Sequence, residues 1–425
     1  MTPHSGGSLA EVRIFRFVRI VACLGLACIA LPGGFSVTSS GKSEVYPRPS
    51  SGVYQIMGRG HGHGRGMSQQ GAQGAATQNG QSYQQILAAY YPGTTLRTVP
   101  SSTTVRVQLT QDDDNNLTVR PAPGLRVRVG SSSIALPTSR DGARITLWRV
   151  RRDAAALRLE SQAGGSWRAT PVAGRTTFSD VPRWTARGLM RLVYPDGAQR
   201  DYRGELHAVP EGNRLLTVNA VRLEDYLRSV VPAEMISSWH PQALAAQSVA
   251  ARSYTMWWIA QNRKGYDLGD TTRWQVYPAA RQLDATGKVI RDYETSSTDK
   301  AVSTTAGVVL DYRGQQVFAE FSASNGGHSA VGDWPYLSAQ VDPWDGLLSS
   351  AGHSWQASLP AQQVEARWPE VGTLRRLQVL GRDGSGEWGG RISQVTVAGS
   401  QGTVTVSGSQ FATATGLRSA WWRPH

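Results

Sequence analysis

The stretch Val230-Val231-Pro232-Ala233-Glu234-Met235-Ile236-Ser237-Ser238-Trp239-His240-Pro241 places one acidic side chain where an apolar, strand-like run hands over to a helix. Pro241 suits the first turn of that helix, where a missing N–H breaks no hydrogen bond. Helical spacing continues through Leu244, Ser248, Ala251, Thr255 and Trp258, predicting a helix over 241–262. Gln247, Arg252 and Gln261 interrupt the apolar run, so this is a core helix and not a membrane span. A short helix over 223–230 is expected before it.

Outward from that pair, strands are predicted at 187–193, 204–209 and 215–218, and again at 301–305, 308–311, 316–322, 374–380, 392–397 and 403–406. Glycines at 71 and 74 do not forbid a helix over 67–77 if close packing offsets their cost. Between 103 and 172 the pattern is short alternating runs, such as Val105-Arg106-Val107-Gln108-Leu109, separated by Gly, Pro and Asp turns. There Asp112-Asp113-Asp114-Asn115-Asn116 lacks the closing glutamate of a calcium-binding loop and reads as a solvated hairpin tip. The expected class is α+β: a mixed, strand-rich core with a long central helix, plus an inserted all-β module. The expected divisions are a signal peptide or N-terminal anchor at 1–35, a linker at 36–53, a glycine-histidine segment of the core at 54–97, a β-rich module at 98–179 and the main core at 180–425.

The chain has 425 residues, enough to bury a full-sized core. Arg13, Arg16 and Arg19 precede an apolar run over 20–31 and then Pro32-Gly33-Gly34, the pattern of an export signal. Cleavage with release, retention as an anchor at the outer face of the membrane, and lipid attachment at Cys28 are the three readings of this end. Both cysteines, Cys23 and Cys28, fall inside the run, so a cleaved product carries no thiol for a disulfide, a metal or a nucleophile. Lysine and arginine total 44 against 31 acidic residues, a formal +13. For an exported protein of the cell wall or the exterior, such charge points to wall polymers or anionic headgroups. The arginines are dispersed and carry no nucleic-acid-binding motif, so no nucleic-acid partner is expected. A monomer is expected.

Three motifs carry polar chemistry. Glu234 has Pro232, Met235, Ile236 and Trp239 as an apolar collar that would raise its pKa; the plain alternative is a carboxylate satisfying amides at a helix start. In Gly58-Arg59-Gly60-His61-Gly62-His63-Gly64-Arg65-Gly66-Met67-Ser68-Gln69, alternating glycines let backbone approach a ligand while His61, His63 and Arg65 give polar reach. Phosphate cradling is poor without a Lys-Ser/Thr pair; the readings that stay open are metal binding through alternate imidazoles, although the spacing of a zinc helix is missing, the wall of a carbohydrate groove, and a structural turn. Phe321-Ser322-Ala323-Ser324-Asn325-Gly326-Gly327-His328-Ser329 presents small polar groups after a strand, as a ligand loop or a capped turn. Among 14 tryptophans, Trp239, Trp257, Trp258, Trp274, Trp334 and Trp344 are candidates for stacking on sugar rings, Trp239 and Trp274 first among them.

Val231-Pro232-Ala233-Glu234-Met235, then Ser238, then Ala243-Leu244-Ala245-Ala246-Gln247-Ser248-Val249-Ala250-Ala251-Arg252-Ser253-Tyr254, together with the glycine-histidine segment and the Gly326-Gly327 loop, resembles the stage II sporulation protein D family. The resemblance covers 54–97 and 180–422. It implies that Glu234 is the catalytic acid of a peptidoglycan lytic transglycosylase, cutting the bond between N-acetylmuramic acid and N-acetylglucosamine in peptide-free strands and leaving 1,6-anhydromuramyl ends. It also implies two alternatives, a non-catalytic glycan-binding enhancer of a cell-wall amidase and a glycan hydrolase. The implied substrate-binding set is His61, His63, Arg65, Met67, Ser68 and Gln69, with Gln247, Arg252 and Tyr254 on the helix and Ser324, Asn325, Gly326, Gly327 and His328 in the small-residue loop. No cofactor is implied, and peptidoglycan strands and a wall amidase are the implied partners. Some members hold zinc through cysteines where this chain has Gly269 and Trp274, so no metal is expected. A hydrolase would need a second carboxylate, with Asp270, Asp333 and Glu320 as candidates, while Asp225, near Glu234 in sequence, is assigned to the preceding helix. The glycine-histidine segment usually follows a motif like Gly416-Leu417-Arg418-Ser419-Ala420-Trp421-Trp422, whereas here it lies near residue 60. Circular permutation explains that order and predicts that residues 58–72 pack beside Glu234.

Overall fold

Alternating runs such as Val105-Arg106-Val107 turn valines to one face of a strand and arginines to the other, and the fold gathers these runs into two large sheets with a common core. The computed structural model describes residues 43–172, 174–348 and 352–425; the expected signal or anchor at 1–35, with Cys23 and Cys28, lies outside the described residues. One sheet runs in the order Ser166–Ala169, Ala156–Ala163, Ala143–Asp153, Asn116–Val119, Met190–Val193, Gln199–Tyr202, Arg281–Leu283 and Val289–Asp292. The other runs Leu268–Gly269, Thr104–Gln108, Arg214–Arg222, Glu205–Glu211, Arg183–Thr185, Arg126–Val129 and Ser132–Ala135. Val107, Val127, Trp184 and Leu206 of the second meet Val119, Trp148, Leu159 and Leu192 of the first in one apolar core. Leu192 pairs with Val119, and Trp184 pairs with both Val127 and Leu206, so both sheets draw strands from either side of residue 179.

The helices are α1 (Gln69–Asn79), α2 (Tyr83–Tyr90), α3 (Leu223–Glu234), α4 (Pro241–Ala260), α5 (Ser296–Thr304), α6 (Ala361–Arg367) and α7 (Gly408–Thr415). Helix α4 packs Ala243, Leu244, Ala246 and Val249 against Ala72 and Ala75 of α1 and Ile86 and Leu87 of α2. Such burial contributes roughly 1.5–3 kcal/mol for each large aliphatic side chain. The glycines of α1 are places of contact: a Cβ on Gly71 would come within 1.9 Å of the Tyr90 hydroxyl, and one on Gly74 within 2.4 Å of the Trp344 carbonyl oxygen. The fold is α+β, with several sheets, one long central helix and β-rich insertions.

Four sequence expectations are corrected. Residues 301–305 are not a strand; they lie in and just after α5, where buried Thr298, Ala301, Val302 and Thr305 follow helical spacing. The β-branched pair Val230-Val231 is not strand-like but the buried side of the last turns of α3, which runs a full turn beyond 230 and makes Glu234 its last residue instead of the start of the next helix. The tether expected over 36–53 contributes the strand Glu44–Pro47, paired with Leu374–Arg382 through Tyr46 and Leu377. The acidic run at 112–116 is not a hairpin tip: the strand before it pairs with Arg214–Arg222, the one after it with Ala143–Asp153, and the chain crosses between sheets. Asp113 and Asp114 are exposed there, while Asp112 is buried and accepts a hydrogen bond from the Thr217 hydroxyl.

Both ends of the described chain meet. Strand Val53–Arg59 lies between Ser354–Pro360 and the closing strand Trp422–Pro424, with Gly58 opposite Trp422. Gly62 N–H donates to the Arg418 carbonyl at 2.9 Å, which sets the glycine-histidine loop directly beside the C-terminal motif, as a permuted order requires.

Candidate functional site

Glu234 projects from the C-terminal end of α3 into a cavity of about 610 Å³. Its Oε1 accepts the Val276 N–H at 2.8 Å, and the Gln69 side chain also bonds to it. Burial raises its pKa above the ordinary carboxylate value, while those two hydrogen bonds oppose the rise. The expected collar is only partly there, because Met235 is core and Ile236 is 58% exposed. Desolvation comes instead from Tyr254, Trp258, Trp274 and Phe318 on the cavity wall. Tyr254 stacks on Phe318 at 4.9 Å between centroids, which fixes both rings. Behind the carboxyl, Gln69 Nε2 donates to Gln247 Oε1 at 3.4 Å, so α1 and α4 together orient the amide that holds Glu234.

The glycine-histidine loop forms the opposite bank, so residues 58–72 do pack beside Glu234. His61, His63, Arg65 and Gln69 line the same cavity. Glycines 60, 62, 64 and 66 all have φ between 61° and 97°. Their freedom brings the backbone close to protein rather than leaving it open for ligand: a Cβ on Gly64 would lie 2.1 Å from Arg391 Nη2, and one on Gly66 2.0 Å from the Glu320 carbonyl oxygen. Burial lowers the His61 pKa, helped by Arg418, so its imidazole is held towards the neutral form. His63 is an exposed residue on this bank, and the protein crowded around it, with Arg65 alongside, lowers its pKa.

Of the rest of the implied substrate-binding set only Tyr254 reaches this cavity. Met67 is fully buried core, and Ser68 caps α1 and donates to Asp345 at 2.8 Å. Arg252 is fully buried and gives Nε and Nη2 to the Glu224 carboxylate at 2.9 and 2.8 Å, so it ties α4 to α3. Ser324 and Asn325 are buried in a web around two aspartates: Ser324 Oγ and Asn325 N–H donate to Asp345, and Asn325 Nδ2 donates to Asp342 at 2.7 Å. Burial would push the Asp345 carboxyl up, but His353, Ser68 and Ser324 outweigh it and hold its pKa low. Gly326 packs on Gly60, and His328 turns to the Ser329 carbonyl. These residues brace the bank from behind. Trp274 lines the cavity while Trp239 packs on the α1–α4 core. Trp258, another of the tryptophan candidates, also lines the cavity, whereas Phe318 and Val276 were not foreseen, because they are plain apolar residues in sequence that become part of a site only when distant segments converge.

Glu320 is the second carboxylate on the cavity wall, and Arg65 holds it by two hydrogen bonds at 2.8 and 2.5 Å. Asp270 is buried against Thr110, Asp225 is paired with Arg222, and Asp333 is exposed outside the cavity. Where cysteines were considered, the Trp274 ring covers Gly269: a Cβ there would meet the ring at 2.4 Å. Among the described residues no three His, Cys, Asp or Glu side chains converge as metal ligands.

Residues 211–312, which span α3, Glu234 and α4, match the family model for stage II sporulation protein. Over this region the chain is similar to the stage II sporulation protein D family. It is 35% identical over 147 residues to the amidase enhancer of Bacillus subtilis (strain 168), covering 33% of this chain and 18% of that protein. It is 31% identical over 140 residues to stage II sporulation protein D of the same organism, covering 30% of this chain and 41% of that one. With stage II sporulation protein D of Bacillus amyloliquefaciens it shares 28% identity over 231 residues, covering 47% of this chain and 67% of that one. The matched region thus spans less than half the length of either Bacillus subtilis relative.

These relatives correct the expectation of a lytic transglycosylase. The one whose name states a biochemical role is an enhancer of an amidase, and none of the three is named for cutting glycan. Of the candidates for the second carboxylate of a hydrolase, only Glu320 shares the cavity wall with Glu234, and it is paired with Arg65.

Proposed function

We propose that this protein is a member of that family and acts as a non-catalytic, glycan-gripping enhancer of a cell-wall amidase, working outside the cytoplasmic membrane. The observation that carries the reading is the composition of the cavity: flat rings of Tyr254, Trp258 and Trp274 beside hydrogen-bonding groups of Glu234, His61 and Gln69. Aromatic faces cover the C–H faces of pyranose rings, and a few placed polar groups fix their hydroxyls. In this role Glu234 is a binding group. Its Oε1 is held by the Val276 N–H, which orients the carboxyl to meet a sugar hydroxyl or acetamido N–H. The formal +13 charge supports retention on an anionic wall. Among the described residues no helix is long and apolar enough to cross a membrane.

The test combines the purified protein with a cell-wall amidase and isolated peptidoglycan. Release of stem peptides is expected to accelerate, with glycan chain length unchanged when the protein acts alone. Trp274→Ala should weaken both glycan binding and the acceleration. New glycan ends formed by the protein without amidase, read by mass spectrometry, would overturn the reading. Recovery of the protein in the wall fraction tests its location.

A further inference from the structure

Aromatic side chains continue past the cavity. Trp258, on its wall, meets Trp257 edge-on at 5.0 Å between centroids, and Trp257 lies 4.5 Å from Phe318 and 6.4 Å from Trp334. Trp334 is 40% exposed. Its indole is parallel within 3° to the ring of buried Tyr336 at 6.1 Å, so one face is covered and the exposed part belongs to the other. Trp257 and Phe318 are half-buried, and the three rings together make a shelf of apolar surface in contact with water.

The loop bearing Trp334 is held in place. Gly332 N–H donates to the Leu337 carbonyl at 2.7 Å, and Leu337 N–H to the Trp334 carbonyl at 2.8 Å. Gly332 packs on the stem of Arg65, where a Cβ would stand 3.2 Å from Arg65 Cδ. Arg65 is itself cavity wall. The shelf therefore joins the cavity twice, through Phe318 and through Arg65. Asp333 is exposed next to Trp334 and within electrostatic reach of Arg65. A flat ring beside a carboxylate acceptor matches the two sides of a sugar, its C–H face and its hydroxyl edge.

We propose that Trp257, Phe318 and Trp334 form a second sugar-stacking subsite, continuous with the Glu234 cavity, that takes the next rings of a β-1,4-linked N-acetylhexosamine chain. This rests on the glycan-binding reading above and adds a length requirement to it. The cavity alone serves a short oligomer, and the shelf engages only a chain long enough to leave it.

The experiment titrates N-acetylglucosamine oligomers, from dimer to hexamer, against the wild-type chain, Trp334→Ala and Trp334→Tyr. Trp334 is exposed, so its loss leaves the core intact. Wild-type affinity should rise with length. Trp334→Ala should bind the hexamer about threefold to tenfold more weakly and the dimer unchanged, and Trp334→Tyr should keep most of the affinity. Equal hexamer affinity for wild type and Trp334→Ala would overturn the subsite and leave the cavity reading standing. Failure of the wild type to bind any oligomer removes the cavity reading and the subsite with it. Unchanged oligomer affinity with lost amidase acceleration would make this face a protein-docking surface and overturn the sugar assignment.

Discussion

Glu234 ends α3, where the unpaired carbonyls of the last turn and the surrounding rings both oppose a negative charge. Its raised pKa is therefore a statement about stability. The native state favours the protonated form more than the unfolded chain does. The group's contribution is complete below the ordinary carboxylate value and is lost as pH rises through the raised native value. Glu234→Gln, which keeps an acceptor for the Val276 N–H, should thus unfold at a higher temperature than wild type at pH 8, with the gap closing at pH 4. Calorimetry at both values checks this, and a less stable variant at pH 8 would refute it. Asp112 has the same sign with a defined window: burial pushes it to about 8. The advantage of Asp112→Asn should open as pH rises from about 4 and level off above about 8, read by the same calorimetry. Glu234 was legible in sequence because an isolated acid among apolar neighbours is unusual. Arg252, Asn325 and Gln247 were not, because residue type does not reveal whether a polar group faces a ligand or, as here, a buried partner.

At the level of elements, α4 was readable from its period and from Pro241, while α3 was misjudged because β-branched Val230-Val231 fits a strand as readily as the buried stripe of a helix. The glycine-histidine loop was recognisable as backbone in an unusual conformation, but not what crowds it. Two glycines separate those effects. Gly80, at the end of α1, has φ 62° and nothing within 4 Å of a Cβ; Gly66 has φ 61° and the Glu320 carbonyl oxygen at 2.0 Å. Gly80→Ala should therefore cost about 1–2 kcal/mol, the conformational penalty alone. Gly66→Ala adds a clash with backbone, which has no rotamer to escape into. It should move the loop off Glu320, release Arg65, and abolish oligosaccharide binding even where the protein stays folded. Similar melting temperatures for the two variants would show that the loop has slack absent from this geometry.

For the whole molecule, two kinds of attraction to the wall have different ranges. The formal +13 charge acts through solvent and fades beyond a Debye length, about 10 Å at 0.1 M salt and about 3 Å at 1 M. The cavity acts by contact, through rings and hydrogen bonds that salt barely screens. Adhesion to whole peptidoglycan carrying anionic polymers should weaken steeply as salt rises from 0.1 to 1 M, by an order of magnitude or more. Affinity for a neutral N-acetylglucosamine hexamer should change less than twofold over the same range. Trp274→Ala should reverse the pattern, leaving salt-sensitive adhesion intact and removing oligomer binding. Co-sedimentation with wall material and calorimetry with the oligomer make the comparison. If both activities fall together with salt, the oligomer is held by surface charge, and the aromatic cavity does not serve as the binding site.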